Sequence, residues 1–389
     1  MIGRETSKIE TSEGRNRALD GVRGLAATIV VFYHSILHNS ASLEHSTLVL
    51  PIQSLKGWRE MVTKLGLSIF DGEAAVFIFF VVSGLVLRSS LERQSEDDKL
   101  QLITRFTVNR LLRLYPPVIV CMALFYLVCK LCHVVQWAGM PTFSISQFLH
   151  NASLYAISMH GPSTTIQLEV MVIPFILLFF FIRRGAGVLG LLGCLIYALY
   201  AVDQPRLVFD LPNLRVYLFL FVLGMLAGEK GLGSLIRISP RAFAALLGFS
   251  FAGRLFVDHR PISSLFGLGL SSVLLVLGVY HAPQCRLRSF LEKPAIQYLG
   301  RISYSFYLLN VIFLNFLWSI LDRIPGVSQH ALELGLLVGT LCCLITIPFA
   351  HLLEILIEQP SIRFAKKFQS SMGALLALWV QPRGETVLK

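Results

Sequence analysis

Ten apolar stretches, most of them about 20 residues long, recur along this chain, and no other feature restricts its fold as tightly. They lie near residues 18–37, 70–90, 114–134, 166–182, 186–202, 213–229, 241–257, 262–281, 300–321 and 333–357. A helix needs about 20 apolar residues to cross the hydrocarbon core of a bilayer. Within that core a segment must satisfy its own backbone hydrogen bonds, and the alternation that would mark a membrane β-barrel is absent. The pattern therefore predicts an all-α fold, a polytopic membrane helix bundle of about ten transmembrane helices. Composition agrees, with 54% hydrophobic and only 15% charged residues, against roughly 25% charged in soluble domains. Only Arg183, Arg184 and Gly185 separate the fourth and fifth stretches.

An even number of spans puts both termini on one side. The segments on that side hold 24 of the 34 Lys and Arg, and those on the other side hold eight. Cytoplasmic loops of membrane proteins carry the excess of basic residues, so both termini are assigned to the cytosol. Residues 1–16 are then a polar N-terminal tail, 17–360 the transmembrane domain, and 361–389 a basic C-terminal tail. The net charge of +11 follows from this topology and from contact with anionic membrane lipid; it does not indicate nucleic-acid binding. The first apolar stretch follows basic residues as a signal peptide would, but Arg23 and His34 inside it predict a retained helix. Cys129 and Cys132 have a C-x-x-C spacing without a second Cys/His pair to complete a metal site, so no metal is expected.

Charged and polar groups inside a span are costly unless they face protein or water, and the first span has three. Asp20 and Arg23 are three residues apart and can pair. Arg23 and His34 are eleven apart, which turns an α-helix to within about 20° of three full turns and separates the two by about 16 Å along the axis. Both side chains are thus predicted to face one cavity, Arg23 at the cytosolic mouth and His34 deep. Taken alone, Arg23 could instead snorkel to the headgroups and His34 could be a buried, satisfied polar group. Arg110 and Arg113 share a helical face at a membrane boundary, where ordinary positive-inside topology also places arginine.

At these residues the chain resembles the acyltransferase-3 family of integral membrane O-acyltransferases. The RALDGVRGLAA run from Arg17 to Ala27, leading to Tyr33 and His34, matches the family's opening signature and its Arg-x10-His spacing. FFVVSG ending at Ser83 and Gly84, RLLRLYP from Arg110 through Tyr115 to Pro116, LGRISYSFYL from Leu299 through Ser303 and Tyr304 to Leu308, and EQP from Glu358 to Pro360 follow in family order. Two departures stand out: TTIQLE ending at Glu169 keeps only the acid of a W-S-L-x-x-E-like stretch, and Asn310 stands where many members have His.

The resemblance implies transfer of an acyl group, often acetyl, from cytosolic acyl-CoA to a hydroxyl of a carbohydrate bound for the cell surface. It also implies a multi-pass protein of the bacterial cytoplasmic (inner) membrane, with polysaccharide-assembly proteins as candidate partners. On that reading acyl-CoA, as acetyl-CoA, is a donor substrate and no cofactor is held permanently. His34 is the candidate base, since imidazole titrates nearest neutrality, or a transient acyl carrier. Arg23, Arg110 and Arg113 are candidates for the phosphates of CoA, with Ser303 and Tyr304 beside the donor or capping their helix. Ser83 and Gly84 line the cavity or permit close helix packing. Asp20 and Tyr115 support the cavity, and Glu169, near the external end of its span, orients an acceptor hydroxyl, assists His34 or forms a structural pair. The external segment from Gln136 to Gln167, with His150 and His160, is the expected region of acceptor contact. A transporter or flippase is the rival class, because it too lines a membrane cavity with ionisable groups.

Overall fold

The computed structural model describes residues 16–38, 47–94, 98–137, 139–211, 213–229, 239–256, 262–281 and 286–368, and among them every regular element is helical. The expected N-terminal tail, apart from Asn16, and the expected C-terminal tail beyond residue 368 lie outside the described residues. Helix α1 (Arg17–Leu37) begins where the Asn16 side chain accepts from the Ala18 N–H at 3.1 Å, satisfying one of the free donors of a first helical turn. It runs unbroken past Asp20, Arg23 and His34. After α2 (Trp58–Ile69), Asp71 caps α3 (Gly72–Arg93) by accepting from the Ala74 N–H at 3.1 Å.

Helix α4 (Lys99–Val134) is 36 residues long, about 54 Å at helical rise, so it extends well past a hydrocarbon core of about 30 Å. The stretch expected at 114–134 is only its C-terminal part. The helix starts at the Asp98 cap and continues through Pro116 and Pro117. Those prolines remove the donors that would reach the carbonyls of Leu112 and Arg113, a loss that membrane helices tolerate where neighbours re-satisfy the backbone. Helices α5 (Ile145–Ala152) and α6 (Ser163–Met171) are short, and α6 passes through Val172 into α7 (Ile173–Tyr200). Between the fourth and fifth apolar stretches the chain reverses at Gly187, whose φ of 62° is costly for any residue with a Cβ. The two arms of α7 fold back on each other, bringing the rings of Phe179 and Tyr197 to 6.2 Å.

The remaining helices are α8 (Leu214–Ala227), α9 (Pro240–Phe256), α10 (Ile262–Tyr280), α11 (Arg286–Leu291), α12 (Pro294–Leu321) and α13 (Ala331–Leu353). A single π turn, Glu354–Glu358, extends α13 into a helix that reaches Phe368. Among the described residues five helical stretches are long and apolar enough to cross a membrane: Trp58–Arg93, Lys99–Val134, Ile173–Tyr200, Pro294–Leu321 and Ala331–Phe368. Leu214–Ala227 and Ser264–Tyr280 are shorter apolar helices. The molecule is thus a membrane helix bundle.

Helix α1 packs along α12 and α13. It runs parallel to α12, with Asp20 beside Gly300 and His38 stacked on Trp318, and antiparallel to α13, with Phe32 beside Gly339 and Ile36 beside Gly335. At the end of the bundle where α3 terminates, Arg88 is 1% exposed and bonds to the Met225 carbonyl, Glu92 and Glu229, while Arg183 joins the same two carboxylates. Burial of that guanidinium is tolerable only because its hydrogen bonds and its charge are both answered.

Helices α3 and α8 make the closest crossing. A Cβ at Gly84 would collide with the carbonyl oxygen of Phe221, and one at Gly224 with that of Val81. Small residues at a crossing let two backbones approach, so Gly84 serves packing, whereas its neighbour Ser83 faces the other way. Gly84→Ala should therefore lower the thermal unfolding midpoint in detergent by several degrees, an overpacking cost of about 1–3 kcal/mol, and Ser83→Ala, which gives up only one hydrogen bond from Arg110, by clearly less. Equal midpoints for the two variants would contradict this division.

Candidate active site

Five helices converge on one cleft. It is lined by Arg23 of α1; Phe79, Phe80, Val82, Ser83 and Val86 of α3; Arg110, Arg113 and Leu114 of α4; Thr165, Ile166 and Glu169 of α6; and Ser303, Tyr304 and Tyr307 of α12. The first halves of α1, α4 and α12 and the middle of α3 contribute, so the cleft lies on the side of the bundle's mid-level where α1 and α12 begin. The sequence candidates Arg23, Ser83, Arg110, Arg113, Glu169, Ser303 and Tyr304 are brought together here.

One hydrogen-bonded group organises the wall. Arg110 Nη2 donates to Glu169 Oε2 at 2.6 Å and to Ser83 Oγ at 3.2 Å, joining α4 to α6 and α3. Its buried Nε has no partner. Tyr304 donates through its hydroxyl to the Leu114 carbonyl at 2.7 Å, fixing α12 to α4 just before the two prolines. Ser303 donates to the Gly300 carbonyl at 2.9 Å, so its hydroxyl is engaged within its own helix.

By contrast, neither Arg23 nor Arg113 makes a hydrogen bond or close ion pair with a described residue. Their charges are offset at longer range by Asp20, Glu169 and Glu358. Glu358 is 4% exposed and accepts from Ser305 Oγ at 3.0 Å. The sequence reading quoted Glu358 within EQP but gave it no role; the π turn that carries it inward is invisible in hydropathy. Thr165, Phe79, Phe80 and Tyr307 were likewise assigned no role, though all four lay within quoted motifs.

Other candidates fall elsewhere. Gly84 is at the α3–α8 crossing, and Tyr115 points its hydroxyl to the Ser153 carbonyl at 3.3 Å, tying α4 to the segment after α5. Glu169 stands inside the bundle, level with Ser83 and Arg110, nearly two turns into a helix that starts at Ser163 and continues through Val172 with helical geometry. It is thus remote from His34 and adjacent to Arg23. His34 does not line the cleft. With α1 regular throughout, the axial distance of about 16 Å carries it past the cleft's inner end. His34 is exposed and stands edge-on to Tyr33.

Of the two external histidines, His150 is exposed and lies beside Tyr155. His160 is 1% exposed, with Nε2 2.8 Å from the Leu308 carbonyl and Nδ1 2.9 Å from Ser163 Oγ. Burial pushes its pKa down to about 4, so it is a neutral clamp between α6 and α12 and offers nothing to an acceptor. Asn310 is fully buried and donates to the carbonyls of Phe306 and Tyr307, an internal role for α12. Among the described residues no group of three or more His, Cys, Asp or Glu could hold a metal ion.

The family model for the acyltransferase-3 group, described as an acyltransferase domain, matches residues 16–354. The chain belongs to the acyltransferase-3 family. That span includes α1, the cleft and most of α13, so the protein is an integral membrane acyltransferase, and its ionisable cavity is read as an enzyme's and not a transporter's. No curated protein and no solved structure matches the chain.

In this acyltransferase the Arg110–Glu169 pair is mostly buried, with 11% and 18% of the side chains exposed. Removing one partner of such a pair leaves an unanswered charge and costs about 3 kcal/mol, more than removing both. A double-mutant cycle with Arg110→Met and Glu169→Leu, read from unfolding in detergent, should give a coupling above about 1.5 kcal/mol; a coupling near zero would mean that the pair does not hold the wall.

Proposed function

We propose that this protein is an O-acetyltransferase that takes the acetyl group from cytosolic acetyl-CoA and delivers it to a carbohydrate hydroxyl destined for the cell surface. The observation that carries the donor assignment is the charge of the cleft. Three guanidinium groups line it against one carboxylate, and two of the three, Arg23 and Arg113, have no hydrogen-bond partner among the described residues. Guanidinium groups without internal partners are suited to phosphate oxygens, which they can bind in bidentate fashion. The phosphates of CoA are such a ligand, and the pantetheine arm is thin and extended enough to lead inward.

His34 is the acceptor-side residue in this reading. The neutral imidazole takes the proton of the acceptor hydroxyl while its oxygen attacks the thioester carbonyl, and the CoA thiolate leaves toward the cytosolic side. Arg23 and His34 then divide the work along one helix, charge recognition at one end and proton transfer at the other. The acceptor approaches from the external side, where His150 remains accessible. A bacterial inner-membrane location, an exported polysaccharide, glycolipid or signalling oligosaccharide as acceptor, and polysaccharide-assembly partners complete the proposal.

Two measurements test it. Purified protein should bind acetyl-CoA, and Arg23→Gln and Arg113→Gln should each weaken binding by about tenfold, the loss of one charge-assisted contact, with the wild-type affinity falling as salt rises. His34→Ala should retain that binding and lose transfer. Mass spectrometry of surface glycans from cells with and without the gene should show one acetyl increment lost; unchanged glycans together with undetectable donor binding would remove the proposal.

A further inference from the structure

A single thin layer of side chains separates the arginine cleft from His34. Around α1, Val30 and His34 both lie within about 20° of Arg23, so the three share a stripe. On that stripe Ala26 and Val30 form a small apolar cluster with Ala75 of α3 and Tyr307 of α12, and Phe79 packs against its edge. Phe79 and Tyr307 are also walls of the cleft. Their rings meet edge to face with centroids 5.6 Å apart, and the Tyr307 and Thr165 hydroxyls are 3.2 Å apart. The ring pair therefore closes the inner end of the cleft, and beyond it along α1 lie Ala26, Val30 and Ala75, with Ile29 and Val76 packed alongside.

We infer that Phe79 and Tyr307 form a gate, latched by Thr165, through which the acyl end of the donor reaches His34. The inference rests on the acyl-CoA reading and adds a positioning residue, Tyr307, to it. Reacting atoms must come within about 3–3.5 Å of each other, whereas the phosphate-binding end of the cleft is about 16 Å from His34 along the helix. The arm must cross this layer. Ala26, Val30 and Ala75 project little on the α1 and α3 sides, so rotation of the Tyr307 ring away from Phe79 opens a slot suited to an unbranched chain. The closed state is held by the Phe79 ring contact, the Thr165 hydroxyl contact and the packing of Tyr307 on Ala26, Val30 and Ala75, with no charged group to be unpaired on opening. Closure without donor keeps the two faces of the membrane separate.

Thr165→Val keeps the shape of the latch and removes its hydroxyl. At saturating acetyl-CoA it should raise acceptor-independent hydrolysis of the donor several-fold. Tyr307→Phe should act in the same direction, because the ring remains. Ala75→Leu should fill the slot, lowering transfer by about 100-fold with donor affinity intact, a kcat effect and not a KM effect. A second readout needs no donor. In inverted membrane vesicles, His34→Cys should react slowly with a charged thiol reagent applied to the cytosolic face, over the background of the parent protein. Adding Thr165→Val should speed that labelling, and adding Ala75→Leu should stop it. If Ala75→Leu changes neither transfer nor labelling, the gate is overturned. If labelling follows the gate while acetyl-CoA shows no affinity, the donor reading fails and the gate stands.

Discussion

Arg110 cannot enter a layer of apolar helices without Glu169, and the arrangement of the cleft depends on that pair. The guanidinium stands among side chains of four other helices, where an unanswered charge would cost several kcal/mol. Glu169 supplies the counter-charge at 2.6 Å and Ser83 a further acceptor. Because these groups come from α4, α6 and α3, one ion pair fixes the relative positions of three helices. Tyr304 extends the same wall to α12 through the Leu114 carbonyl. With Arg110 so anchored, Arg23 and Arg113 can remain uncommitted beside it, and the cleft keeps a positive surplus that a fully paired cluster would not have.

The packing around the cleft has its own physical logic. Lipid tails are as apolar as leucine, so helices in a membrane gain little by hiding apolar surface from one another and rely on close fit and polar contacts. The α3–α8 crossing at Gly84 and Gly224 provides the first. The Arg88, Glu92, Glu229 and Arg183 cluster provides the second at the same end of the bundle. Together they brace α3 on its α8 side, where Phe80 also stacks on Tyr217 and Phe221, so the adjoining face with Phe79 and Ser83 is held against the cleft.

Much of this was legible in the sequence, for identifiable reasons. Helix period alone placed Arg23 on a regular span, and basic residues three apart placed Arg110 and Arg113 on one face. The family motifs brought Ser83, Ser303 and Tyr304 into the same region. What hydropathy could not convey was depth and direction. It placed Glu169 at an external boundary because it counted the span from residue 166, whereas the helix begins at Ser163 and carries Glu169 nearly two turns in. It located the third span at residue 114 because the polar first half of α4 does not look like membrane helix. It left Gly84 and Ser83 ambiguous, since adjacent residues on a helix face directions 100° apart and only the neighbouring helix decides which one packs. The shared face of Arg23 and His34 was read correctly, but a shared face does not make a shared cavity when a layer of side chains lies between.

That last point bears on why both residues belong to one helix. Helices of a membrane bundle shift and tilt against one another, and the distance from Arg110 or Arg113 to any external group changes when they do. The distance from Arg23 to His34 does not, because eleven residues of continuous hydrogen-bonded helix set it. On the proposed reading, helix α1 acts as a ruler between a charge-recognising end at Arg23 and a proton-transferring end at His34. A donor gripped at Arg23 presents its reactive end at a fixed depth whatever α4 and α12 do. The moving parts can then open a path without altering the reach, which is the separation of duties a two-sided membrane reaction requires.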